Sequence, residues 1–267
     1  MENRVTVSIK DHIADVKLNR PDKMNALDDA MFLALIETGQ ALAADASVRC
    51  VVLSGEGKAF CAGLDLSNFK MPDESSSVTN QKLADRTHGN ANKFQKCVMV
   101  WHDMPVPVIA AVHGVSLGGG VQIMMGADIR YIAPDTKCSI MEMKWGIVPD
   151  LGGTQLWRHN VRGDILRELT YTNRMFSGED AVKYGFATHT SSDPHADAMQ
   201  LASIIAKKSP TAIVKAKQLL NEAPYLGIDE GLMNESIIQD QIMGNKNQLE
   251  AVFSEMQKRK AQFEDFR

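Results

Sequence analysis

Hydrophobic positions alternate with polar ones from the start of the chain. Val5, Val7 and Ile9, then Ile13, Val16 and Leu18, read as two strands, with Lys10-Asp11 as the turn of a hairpin. After Asn19-Arg20-Pro21 the period changes. Residues 27–43 have helical spacing, with Asp28 and Asp29 in the first turn, where acids complement the positive end of a helix. Continuous apolar runs at 50–53 and 108–112 predict buried strands, and shorter ones are expected at 129–132 and 138–141. The polar, turn-rich stretch 71–80 predicts a flexible loop leading into a helix over 81–103. From Gly152 the pattern is almost wholly helical, with pieces near 153–159, 163–171, 178–183, 195–207, 210–221, 229–243 and 245–259. Strands alternating with helices predict an α/β core with much parallel pairing, over residues 1–200. A C-terminal helical region is expected over 201–267. Its Met199, Leu232, Met233, Ile237, Ile238, Ile242 and Met243 are either ordinary core or a surface buried against sister subunits.

Three features carry candidate chemistry. Gly118-Gly119-Gly120 lies between a buried strand and a helix expected to start at Val121. Amides at such a start have no intrahelical acceptor, and without side chains a ligand oxygen can come close. The alternative is a tight turn. A dinucleotide site is a poor fit, since the spacing is not GxGxxG. A second small-residue turn, Phe60-Cys61-Ala62-Gly63-Leu64-Asp65, also follows a buried strand, and an oxyanion site needs two donors converging from different segments. The third feature is Glu142 with Asp150, the latter in Ile147-Val148-Pro149-Asp150-Leu151-Gly152-Gly153. Either the bend holds Asp150 inward in apolar company, which raises its pKa toward the range of a working acid or base, or Asp150 caps the helix near Gly153 or sits in a solvated turn.

Composition removes several classes. Four scattered cysteines, Cys50, Cys61, Cys97 and Cys138, form no CxxC pair and no His/Cys cluster, so neither a metal site nor a disulfide framework is expected, and a reducing setting is. The charged N-terminal segment and the absence of an apolar run near the roughly 20 residues of a membrane helix point to a soluble, cytoplasmic protein. With 29 basic and 33 acidic residues there is no global field for nucleic acid or anionic membrane.

Taken in order, Asn19-Arg20-Pro21 with Asn25-Ala26-Leu27, Phe60 through Asp65, Pro107-Val108-Ile109-Ala110-Ala111-Val112-His113-Gly114 leading to Gly118-Gly119-Gly120, Ala127-Asp128-Ile129, and Gly146 through Gln155 resemble the enoyl-CoA hydratase/isomerase (crotonase) superfamily. The likeness spans roughly residues 5–190. It implies a spiral β-β-α core with a C-terminal helical trimerisation region, assembled as trimers or hexamers, acting on an acyl-coenzyme A thioester with coenzyme A bound as part of the substrate and no other cofactor. It implies that the amides of Leu64 and Gly119 hold the thioester carbonyl. It further implies that Lys23, Met24 and Ala26, with Ala62, Gly63 and Asp65, contact the coenzyme A portion, although Lys23 also reads as a solvated loop charge. Lys260 and Phe263 would reach a ligand in a neighbouring subunit. His102 and His113 carry no implied catalytic role.

The resemblance narrows the reaction. Hydratases of the family carry two glutamates; here the first position is Gln122, whose amide cannot act as a general base, and the second is Glu142. Asp150 stands where hydratases generally have glycine. Dienoyl-CoA isomerases resemble this arrangement, with two acids on opposite sides of the acyl chain, though they usually have aspartate at position 122. The expectation is therefore a double-bond isomerase using Glu142 and Asp150. Hydration, hydroxyacyl-CoA hydrolysis and a non-catalytic or RNA-binding relative are the alternatives.

Overall fold

A computed structural model of the chain describes residues 3–65 and 82–266. The loop expected at 71–80 lies outside them. The first hairpin is formed by β1 (Val5–Lys10) and β2 (Ile13–Leu18), antiparallel, with Val5 opposite Leu18. Its turn is Asp11-His12, both at positive φ, one residue later than the sequence pattern indicated. β3 (Cys50–Gly55), β4 (Val108–Val112), β6 (Ile129–Ile132) and β8 (His189–Thr190) continue the sheet in the order β1-β2-β3-β4-β6-β8, all parallel after the hairpin. A smaller parallel pair, β5 (Val115–Leu117) with β7 (Lys137–Ser139), stands beside it.

The continuous apolar runs at β3 and β4 are explained by burial on both faces. Val51, Leu53, Val108, Ala110 and Val112 face a core shared with α1 (Asp29–Ala44), α2 (Lys93–His102) and α3 (Gly119–Met125). Cys50, Val52, Ile109 and Ala111 face the opposite way, onto Ala198, Ala202 and Ala206 of α7 (Pro194–Ile205) and its C-terminal boundary. Alanines four residues apart let that helix lie close to the sheet. Residue 200, the expected boundary of the helical region, falls inside this helix.

Three expected boundaries move. The helix expected over 81–103 begins only at Lys93, because Asn92 and Gln95 form a reciprocal capping box, and the described residues before it form turns. The helix after the glycine run begins at Gly119 rather than Val121, with Gly118 at φ +49° as its N-cap. The strand expected to reach Met141 stops at Ser139, since the Ile140 carbonyl accepts instead from Asn173 Nδ2 at 2.6 Å. A short 3₁₀ turn then spans Glu142–Trp145.

The helical second half contains α4 (Gly153–Trp157), α5 (Gly163–Thr172), α6 (Gly178–Tyr184), α8 (Pro210–Glu222), α9 (Ile228–Ile242) and α10 (Lys246–Met256). α8 is anchored to the core by Lys217, whose ammonium donates to Asp128 at 2.8 Å and to the Val106 carbonyl at 3.1 Å. Ile238 is buried, whereas Leu232, Met233, Ile237 and Met243 are each about half exposed, so most of the C-terminal apolar stripe is surface in this chain. No helix among the described residues is long and apolar enough to cross a membrane.

Candidate active site

The two glycine turns are brought together by strand pairing. Cys61 bridges Ser116 in parallel, with the Cys61 amide donating to Val115 O and the Leu117 amide to Cys61 O, both 3.0 Å. Chains leaving two parallel strands at the same end turn side by side, so 62–65 and 118–120 are neighbours. The approach is close: a Cβ on Gly63, which has φ +84°, would sit 2.6 Å from Leu117 O and 3.5 Å from the Gly119 nitrogen, and one on Gly119 would sit 2.7 Å from Leu27 and 2.9 Å from Leu151. Only glycine fits such a crossing.

Local pairing among the described residues leaves both candidate donors unused. Leu27 N–H donates to Gly63 O at 2.8 Å and Asp65 N–H to Leu27 O at 3.0 Å, so the Leu64 N–H points to the other side of its strand. Gly119 is the first residue of α3, where an amide has no acceptor one turn back. Among the described residues neither N–H makes a backbone hydrogen bond.

Glu142 lies against the 118–120 turn, with Asp150 near enough for its charge to act on it. Glu142 is buried, and its Oε1 is 3.6 Å from where a Gly118 Cβ would stand. Burial raises its pKa above the ordinary carboxylate range, and the charge of Asp150 adds to the rise; its own amide, Gln122 and the Met141 amide oppose it. Neither of those backbone amides is a hydrogen-bond partner of Oε2, which is buried and unpartnered. Asp150 is half-buried, and burial raises its pKa as well, opposed by its own amide. Its side chain does not cap α4: the N-cap is Gly152, at φ +96°, with no side-chain cap. The capping reading therefore does not hold, and the side chain is partly buried. The intervening loop presents Trp145, Ile147 and Val148 with 43%, 40% and 62% exposure, an apolar rim beside two carboxyl groups.

Gln122 was visible in the sequence only as a residue that cannot ionise. In the fold it links Glu142 to the segment that carries Asp150: Nε2 donates to Glu142 Oε1 at 2.6 Å, while Oε1 accepts the Leu151 and Gly153 amides, each at 3.0 Å. No sequence signal marks this. Asn25 was quoted in a motif without a role. Fully buried, it donates from Nδ2 to the carbonyls of Glu56, Ala59 and Phe60 and accepts the Arg20 amide, tying the 20–26 loop to the turn that carries Ala62.

The remaining candidates share that region. Lys23 and Met24 are exposed, Ala26 is half-buried, and the Met24 carbonyl accepts the Ala62 amide at 2.9 Å, so the two segments form one edge. Asp65 is turned inward and pairs with Arg20 at 2.6 Å. Lys260 is exposed, and the tail beyond it is held to its own chain, with the Phe263 carbonyl and the Asp265 carboxylate both accepting from Arg49. His102 and His113 lie away from the acids; His113 Nε2 pairs with Gly57 O at 3.0 Å. No group of three or more metal-ligating side chains occurs among the described residues.

Residues 8–266 match the family model described as enoyl-CoA hydratase/isomerase. The chain belongs to the enoyl-CoA hydratase/isomerase family. Within this family it is 33% identical over 239 residues to the mitochondrial Delta(3,5)-Delta(2,4)-dienoyl-CoA isomerase of Mus musculus, covering 86% of this chain and 72% of that protein. It is 31% identical to the peroxisomal Delta(3,5)-Delta(2,4)-dienoyl-CoA isomerase of Arabidopsis thaliana, covering 92% and 90%. The crystal structure of an enoyl-CoA hydratase from Bacillus anthracis superposes with a TM-score of 0.88 at 26% identity over 98% of this chain and all of that one. The α/β architecture expected from the motifs, with its largely parallel sheet and C-terminal helical region, is thus the crotonase fold. The expected family holds, and its members include both isomerases and hydratases.

Proposed function

We propose that this enzyme moves a double bond along the acyl part of an enoyl- or dienoyl-CoA thioester. The reading rests on one observation: two carboxyl groups, both with pKa values raised by burial, sit on segments tied together by the Gln122 amide, whose Nε2 donates to Glu142 and whose Oε1 accepts the backbone amides of Leu151 and Gly153 next to Asp150. The thioester oxygen would accept from Leu64 and Gly119, with coenzyme A along the edge formed by Lys23, Met24, Ala26, Ala62, Gly63 and Asp65. One carboxylate takes a proton from the carbon next to the thioester; the C–H electron pair delocalises onto the carbonyl oxygen as an enolate; the other carboxyl returns a proton further along the chain. For a 3,5-dienoyl thioester, loss of a proton at C2 and gain at C6 gives the 2,4-dienoyl product. Protons balance and no electrons leave, so neither metal nor redox cofactor is required.

In this reading Asp150, the less buried acid, is taken as the base, and Glu142, the more enclosed, as the proton donor. Each unit of pKa matters here, since a donor works best near the operating pH. Hydration is the second reading, favoured by the likeness to the Bacillus anthracis hydratase. Against it, Gln122 has both ends of its amide engaged and no group that can take a proton from water.

The test is an ultraviolet assay on a panel of acyl-CoA thioesters. A 3-enoyl-CoA that gains conjugated absorbance, or a 3,5-dienoyl-CoA whose absorbance moves to longer wavelength, supports isomerisation. Loss of conjugation from 2-enoyl-CoA, or release of free thiol, without either change would replace it with hydration or hydrolysis.

A further inference from the structure

Gln122 is 1% exposed, and both polar atoms of its side chain are hydrogen-bonded. Its Oε1 accepts two backbone N–H groups, from Leu151 and Gly153. That fixes which way the amide faces: turned over, the NH₂ would meet two N–H donors and the carbonyl would meet a carboxyl oxygen. Nε2 is therefore committed to Glu142, and the bond is short, 2.6 Å. Space for it is made by glycine, because a Cβ on Gly153 would lie 2.8 Å from both Cγ and Oε1 of Gln122.

The consequence is asymmetry within one carboxyl group. An amide N–H only donates, so Glu142 Oε1 must accept, a role that the carbonyl-type oxygen of a protonated carboxyl fills better than its hydroxyl oxygen. Among the described residues Oε2 is buried without a partner. We propose that Gln122 is a positioning residue that makes Oε2 of Glu142 the oxygen that carries the mobile proton, and that the same amide holds the turn bearing Asp150 in register with it. This rests on the isomerase reading. A single side chain then sets the spacing and the protonation geometry of both acids, and its neutrality keeps a third negative charge out of the site. The groups facing Glu142 are Asp150 from the 146–152 turn, the Gln122 amide from α3 and the backbone amides of residues 141 and 142. Asp150 in turn faces the buried Cys97 thiol of α2, which burial pushes well above the ordinary thiol range and keeps neutral.

Two variants separate positioning from simple support. In Gln122→Glu a neutral carboxyl keeps the acceptor for Leu151 and Gly153 and donates to Glu142, whereas an ionised one places like charges in contact. The first proton lost from such a pair leaves more easily than from an isolated acid, because the remaining proton is shared. The kcat of Gln122→Glu is expected to approach wild type at the acid end of the profile, and its alkaline limb to move to lower pH. An unmoved profile overturns the proposal. In Gln122→Met the donor is gone and the turn is released. Misplacement of about 1 Å costs roughly 10²-fold, so kcat should fall by roughly 10- to 100-fold with KM little changed; a folded variant with wild-type kcat also overturns it. The carboxyl ¹³C resonance of Glu142 gives a readout without turnover. Losing a bond that favours the charged form must raise its titration midpoint. If wild type isomerises no enoyl-CoA yet the midpoint rises, the isomerase reading fails and the positioning role stands. If the midpoint does not move, the positioning role fails.

Discussion

Replacing Gly63 by alanine probes the contact on which the enolate chemistry depends. Gly63 has φ +84°, so an L side chain there costs about 1–2 kcal/mol in backbone strain. The new Cβ would also stand 2.6 Å from the Leu117 carbonyl oxygen, a backbone atom that cannot rotate away. Reaching an ordinary contact of 3.4 Å requires the 62–64 turn to retreat from residues 117–119 by the difference, 3.4 − 2.6, or 0.8 Å. Since the same Cβ position is 3.5 Å from the Gly119 nitrogen, that retreat moves the Leu64 N–H away from the spot it would share with Gly119. Losing one oxyanion donor costs about 3–4 kcal/mol of barrier, roughly 10²–10³ in kcat. Gly244, in the turn between α9 and α10, is the control: its φ is +78° and no atom lies within 4 Å of a Cβ there, so Gly244→Ala carries the strain without the collision. Turnover of the best enoyl- or dienoyl-CoA substrate would be measured for both variants alongside Tm. We expect Gly63→Ala to lose about 100-fold in kcat, and Gly244→Ala to lose stability alone. If the two variants turned over equally, adjacency of the two turns would have no part in stabilising the enolate.

Asp150→Asn should lower kcat by roughly 10²–10⁴-fold, with the fold intact by circular dichroism; near wild-type turnover would remove Asp150 from the mechanism. Glu142→Gln should alter the pH dependence of stability. Because the folded-state pKa of Glu142 is raised, its contribution is fully present below the unfolded carboxyl value of about 4.3 and is lost as pH rises through the folded value. The Tm of the variant relative to wild type should therefore improve between acid and neutral pH, and a difference that stays flat would contradict the burial argument. Lys217→Ala leaves Asp128 partly buried without its ammonium partner. It should cost about 3 kcal/mol, a Tm decrease of roughly 6–12 °C, and a loss below about 1 kcal/mol would reduce this bridge to an ordinary surface pair.

Local rules reached far into this chain. The hairpin, the buried runs at β3 and β4 and all seven C-terminal helical pieces follow from periodicity, because side-chain burial on a strand or helix face repeats with the backbone geometry. The early start given to α2 ignored a signal present in the sequence, the Asn92 and Gln95 cap. By contrast, β5 and β8 are only three and two residues long, too short for any period to register, and exist because a neighbouring strand pairs with them.

The site divides in the same way. Glycine turns after buried strands, an acid at 142 and another in a Pro-Gly bend at 150 were legible as residue types, and the order of motifs along the chain was enough to point to the family. That Asp65 spends its carboxylate on Arg20, that most of the apolar stripe on α9 is exposed, and that Gln122 binds both acid-bearing segments were not. Periodicity is carried by neighbours within a few residues. The partners of Gln122 lie 20 to 31 positions away in the chain, and only the pairing of β5 with β7 and the packing of α3 against α4 bring them within reach of one amide.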